Sequence, residues 1–131
     1  MKILISMFSL ALGLTASGCL VDLDHHGGSH GDALLTVEWS VHGTTDASEC
    51  DYFGARYAAI TVHSRYGIEE DREVACESFG SDFYLPPDRY WVEIVLLNRS
   101  RREITEAVQT DSRYVEDSDY VVIDFPADSF L

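Results

Sequence analysis

The sequence predicts an all-β fold, a single β-sandwich of six to eight strands behind a cleaved N-terminal signal and a tether. Three observations predict it. Short runs of apolar, aromatic and β-branched residues alternate at period two. Turn-forming residues separate these runs at regular intervals. No amphipathic stretch of helical length interrupts them. The run around which the others are arranged is Phe83 to Leu97. Phe83-Tyr84-Leu85 leads into Pro86-Pro87-Asp88-Arg89, a corner in which proline fixes φ and cannot serve a central ladder. Tyr90 to Leu97 then reads as a central strand. Tyr90, Val92, Ile94 and Leu96 fall on one face, and Trp91, Glu93, Val95 and Leu97 on the other.

At 131 residues, with 46% hydrophobic and 24% charged, the chain has the composition of one globular domain. Its charge is strongly acidic, 23 Asp+Glu against 9 Lys+Arg, net −14. A surface of this sign repels phosphate backbones and anionic headgroups, which argues against nucleic acid as a partner. It also keeps an exported protein soluble.

The N-terminus carries an address. Lys2 is a charged n-region, Ile3 to Leu14 an apolar h-region, and Ala16-Ser17-Gly18 stand directly before Cys19. An h-region of about twelve residues is too short to span a bilayer. The arrangement resembles the lipobox of bacterial lipoproteins, although Ala16 stands where leucine is usual. The resemblance implies cleavage after Gly18 and acylation of Cys19, so that membrane lipid is held through that residue. With Leu20 rather than aspartate next, it implies the outer membrane. An ordinary secretory signal cut nearby is the alternative. Removal of residues 1–18 takes away the only lysine and leaves eight arginines against 23 acidic residues, net −15.

Leu20 to Asp32 reads as a hydrophilic tether, rich in glycine, histidine and aspartate. His25, His26 and His30, with Asp22, Asp24 and Asp32, are of the types that ligate Zn²⁺, Cu²⁺ or Ni²⁺. That makes a metal-capturing envelope protein the alternative function, against a plain spacer.

The domain is expected over residues 33–131. Leu35, Val37, Trp39 and Val41 share one face of a first strand. His42 to Asp46 is a loop, Ala47 to Phe53 a short helical turn carrying Cys50, and Gly54 its end. Tyr57 to Ser64 is a second strand with Ala58, Ile60 and Val62 inward. Arg65 to Asp71, with its Glu69-Glu70-Asp71 trio, is expected as a hairpin tip, Arg72 to Cys76 as a short strand, and Phe79 to Asp82 as a turn. After a turn at Asn98 to Arg101, Arg102 to Thr110 is expected as an edge strand. Asp111 to Asp119 is a loop in which Tyr114-Val115 pairs briefly, and Tyr120 to Phe125 closes the domain before Pro126.

A mature chain of this size gains from a covalent staple. Cys50 and Cys76 are expected to form it, since such bridges persist outside the cytoplasm, with two separate buried thiols as the alternative.

The order of landmarks is similar to that of small uncharacterised bacterial lipoproteins with a sandwich domain. It comprises Val37-Glu38-Trp39-Ser40-Val41, a cysteine before an Ala-rich strand, a second cysteine, and Leu85-Pro86-Pro87-Asp88-Arg89-Tyr90-Trp91-Val92. The last element also resembles the turn-strand of transthyretin-like and carboxypeptidase-regulatory-like domains, with Asp88 where glycine is usual. The resemblance implies an immunoglobulin-like or prealbumin-like sandwich and transfers no catalytic or ligand-binding residue.

No nucleophile motif, zinc-binding helix, phosphate loop or Cys-x-x-Cys pair occurs. His42 and His63 read as surface or strand histidines. The carboxylates at Glu69 to Asp71 and Glu116 to Asp119 read as solvated loops rather than a Ca²⁺ site. Of the aromatics, Trp91, Tyr84 and Tyr66 are the candidates for a contact surface. The expected function is a non-catalytic lipoprotein displaying a binding or structural sandwich to an envelope protein or glycan, without a cofactor.

Overall fold

The computed structural model describes residues 32–131 and is an all-β sandwich. β1 (Ala33–Val41) lies between β4 (Gly80–Leu85), antiparallel, and β8 (Ser118–Phe125), parallel, in a three-stranded sheet. The second sheet runs β3 (Gly67–Ala75), β2 (Tyr57–Ser64), β5 (Asp88–Leu97) and β6 (Val108–Gln109), with β7 (Arg113–Val115) also pairing β5. The first and last long strands are therefore neighbours, and β5 is interior to its sheet as its two apolar faces require.

Period-two patterning fills the space between the sheets. Leu35, Val37, Trp39 and Val41 from β1 meet Ala58, Ile60 and Val62 from β2 and Tyr90, Val92, Ile94 and Leu96 from β5, all buried. Phe83 and Phe125 complete the core from β4 and β8. Trp39 needs a partner for its indole N–H once buried. It donates to the Cys76 carbonyl at 2.9 Å, which fixes the 3-10 turn Cys76–Ser78 against β1.

The helical turn α1 (Ala47–Phe53) starts where Asp46 accepts hydrogen bonds from the amide and hydroxyl of Ser48. It stops at Gly54, whose φ of 75° is the left-handed conformation glycine takes at least cost. Its buried Cys50 is bridged to Cys76, Cα to Cα 6.2 Å, so the expected disulfide is present. No helix among the described residues is long and apolar enough to cross a membrane.

Two arginines clip the flanks of the sandwich. From β3, Arg72 donates to the Ser81 hydroxyl and the Asp82 carbonyl at 2.9 and 2.6 Å, its guanidinium lying 4.2 Å over the Phe83 ring. From β7, Arg113 donates to the Asp119 carboxylate and the Tyr120 carbonyl at 3.2 and 2.8 Å. Charge-assisted bonds of this kind join sheets where no backbone ladder does.

Several boundaries differ from the sequence expectation: β5 already begins at Asp88, inside the expected corner, and β8 at Ser118, inside the expected loop. Glu69-Glu70-Asp71 is not a hairpin tip: the turn is Arg65-Tyr66, and the acidic trio lies within β3, an edge strand whose charges discourage pairing with another chain. Residues 79–82 do not form a turn beyond Phe79, because β4 already begins at Gly80. Cys76 sits in the 3-10 turn, not in a strand. Arg102 to Thr110 is strand only at Val108–Gln109. Along the rest, the hydroxyls of Thr105 and Thr110 accept from the Leu96 and Val92 amides at 3.0 and 2.9 Å, side chains standing in for ladder carbonyls.

Candidate functional site

The outer face of the five-stranded sheet carries the candidate site. Alternation along β5 sends Arg89, Trp91 and Glu93 outward while Tyr90, Val92 and Ile94 go to the core. On β2 the residue opposite Trp91 is His63. The two rings lie flat on one another, centroids 3.7 Å apart and planes 2° from parallel. Each is half-buried. The His63 Nε2 is covered and has no hydrogen-bond partner among the described residues. Beside His63 the β2–β3 ladder slips, leaving Glu69 as an extra residue on β3. Such a bulge increases local twist and re-aims side chains. Glu69 is turned to accept from the Ser64 hydroxyl at 2.5 Å.

On the other side of β5, Arg89 is paired with Tyr114 of β7, which brings Tyr114, 56% exposed, onto the same face. Arg65 arrives from the β2–β3 turn and Ser112 from the loop before β7. Together with Trp91 and Asp88 they line an open cleft of about 550 Å³. Arg65 sits 3.7 Å from the Asp88 carboxylate, a loose exposed pair. The Arg89 guanidinium has no partner among the described residues.

Beneath this cleft Tyr90 points inward and its hydroxyl donates to the Pro86 carbonyl. Burial, and then the negative charges of Asp88, Glu69 and Asp32, hold its phenol above the ordinary value of 10.0. The group is neutral in use and serves to fix the proline corner under the cleft.

The three aromatics expected to share a contact surface do not. Trp91 lines the cleft. Tyr66, 75% exposed, adjoins it only through Arg65, whose guanidinium lies 4.8 Å over the Tyr66 ring. Tyr84, 66% exposed, points from β4 to the far side of the sandwich, because β4 belongs to the other sheet. Glu93, for which the sequence offered no partner, accepts from the Gln109 side-chain amide at 2.8 Å. That bond depends on the β5–β6 register and is invisible along the chain.

Cys19, His25, His26 and His30 lie outside the described residues. Among the described residues no group of three or more His, Cys, Asp or Glu is placed to hold a metal. His42 is an exposed partner of Glu49 at 3.5 Å and an edge contact of Phe53. His63, read from the sequence as a surface or strand histidine, is a strand histidine of β2. Its signal was present only as one of the polar alternates of β2, and acquires meaning once the register sets it opposite Trp91. No protein-family model matches the chain, and no curated protein does.

Proposed function

We propose that the protein is a non-catalytic lipoprotein of a bacterial envelope, anchored through Cys19, whose sandwich is a binding module with its site at the Trp91 cleft. The observation that carries the site is the His63–Trp91 stack, a large aromatic held rigid on an open sheet face instead of being used in the core. An indole fixed in this way loses little conformational freedom when a ligand lands on it. The surrounding polar groups supply orientation. Support for the anchor comes from the order of n-region, h-region, small residues and Cys19. The Cys50–Cys76 bridge supports an oxidising compartment.

The experiment is retention of the full chain on immobilised envelope polysaccharides and envelope proteins, beside its Trp91→Ala variant. The reading predicts at least one retained partner and its loss in the variant, with the melting transition preserved. Equal retention of both proteins on every partner would move the site away from Trp91. For the anchor, Cys19→Ser is expected to shift the protein from the detergent phase to the aqueous phase, and unchanged partitioning would refute lipidation at that residue.

A further inference from the structure

We propose that the Trp91 cleft takes an acidic sugar, a hexuronate unit of a polysaccharide; this rests on the reading of that face as the binding face and names its ligand class. Three features of the cleft match three features of such a ring. The first is a flat apolar surface. Trp91 has one side against His63, so the indole is held in place for the C–H face of a pyranose, whose partly positive hydrogens suit the negative face of an aromatic ring. Tyr114 provides a second exposed ring in the same cleft.

The second feature is charge. A chain with 23 acidic and 9 basic residues repels anions over most of its surface. The cleft is an exception, with two arginines against one aspartate. Arg89 has no partner among the described residues, and Arg65, which lies over the Tyr66 ring, is paired to Asp88 at 3.7 Å, a loose contact that an incoming carboxylate can outcompete. Guanidinium is the side chain whose paired N–H groups match a planar carboxylate.

The third feature is hydroxyl recognition. Asp88 accepts, and Ser112 both donates and accepts, as ring hydroxyls require. Asp88 also discriminates. A dianionic phosphate beside it would meet like charge, while a singly charged uronate can present a hydroxyl to Asp88 and its carboxylate to the arginines.

The test is a titration of the full ¹⁵N-labelled chain at about 150 mM salt, where long-range charge effects are screened. The probes are trigalacturonate, the neutral galactose trimer of the same linkage, and triglutamate. The chain has two tryptophans, and Trp39 donates its indole N–H to the Cys76 carbonyl inside the core, so the two indole signals report the cleft and the core separately. Trigalacturonate is expected to move the Trp91 indole signal and leave that of Trp39 still. The neutral trimer is expected to bind about tenfold or more weakly, and Arg89→Ala to remove most of that difference. His63→Ala, which leaves the arginines in place, should weaken both trimers.

Equal binding of the two sugar trimers would overturn the acidic preference while leaving Trp91 as a binding residue. Triglutamate binding as strongly as trigalacturonate would show a site that reads charge alone, and would overturn the sugar. No shift of the Trp91 indole with any probe would overturn the inference outright. Retention on envelope partners that is lost in Trp91→Ala would still uphold the binding-module reading in that case.

Discussion

The Trp91 indole lies on the His63 imidazole at 3.7 Å with the planes 2° from parallel, joining β5 to β2 on the face turned away from the core. A cross-strand aromatic pair of this kind stabilises a sheet locally, and it also takes away the rotational freedom of the half-exposed indole. His63→Ala is therefore expected to cost about 0.5–1.5 kcal/mol in urea denaturation. It should also lower the tryptophan fluorescence anisotropy, to which Trp39 adds a constant contribution from the core, as the Trp91 ring is freed. A variant that keeps full anisotropy would mean that other contacts hold the indole.

The core-facing side of the same strand behaves differently. Ile94 is fully buried between the sheets. Its replacement by alanine should cost roughly 2–5 kcal/mol, a large share of a small domain's stability. Ile94→Asp should not fold, because it buries a charge without a partner. Circular dichroism of the two variants checks both outcomes, and a cooperative native transition for Ile94→Asp would contradict the assignment of that face.

Cys50 and Cys76 join α1 to the 3-10 turn across 26 positions of chain. The chain-entropy account assigns such a closure about 3–4 kcal/mol. Paired replacement by alanine should lower the denaturation midpoint accordingly without altering the native spectrum. Thiol labelling of the unfolded, unreduced chain should find neither cysteine reactive. Two labelled thiols from this pair would refute the bridge.

Tyr90 sets an alkaline limit. Its folded pKa lies above the unfolded value of 10.0, chiefly through burial and then through the negative charges of Asp88, Glu69 and Asp32. The folded chain thus keeps a proton that the unfolded chain loses. The associated stability is complete below about pH 10 and is lost as pH rises through the folded value. Tyr90→Phe removes that dependence, so its stability should fall less steeply above about pH 10. At neutral pH the variant should be weaker by about 1 kcal/mol, the hydrogen bond to the Pro86 carbonyl being gone. Parallel alkaline slopes for the two proteins would contradict the placement of the phenol.

Much of the fold was legible because it follows from local pattern. The alternation in Leu35, Val37, Trp39 and Val41 named the buried face of β1, and Tyr90, Val92, Ile94 and Leu96 that of β5. The helical turn around Cys50 and its stop at Gly54 were likewise legible in the chain. Pairing between strands was not. Glu69 to Asp71 looked like a loop tip because acidic residues are common there, but on an edge strand they serve against aggregation. Arg102 to Thr110 looked like an edge strand because it alternates, though less cleanly than the others. Its two threonines, Thr105 and Thr110, instead turn their hydroxyls onto β5 amides. The cleft was the least legible part. Trp91 was expected in a contact surface, but His63, Arg89 and Tyr114 join it only through the registers of β2 and β7 against β5.

Trp91, half-buried, and Tyr84, exposed, are aromatics on outward faces, one on each sheet, and they separate the two surfaces a partner could use. The most direct measurement is retention of Trp91→Ala and Tyr84→Ala on the same immobilised envelope polysaccharide, each variant shown to melt cooperatively. The account predicts that Trp91→Ala loses retention and Tyr84→Ala keeps it. Loss with Tyr84→Ala and full retention with Trp91→Ala would place binding on the three-stranded sheet and contradict the assignment of the cleft.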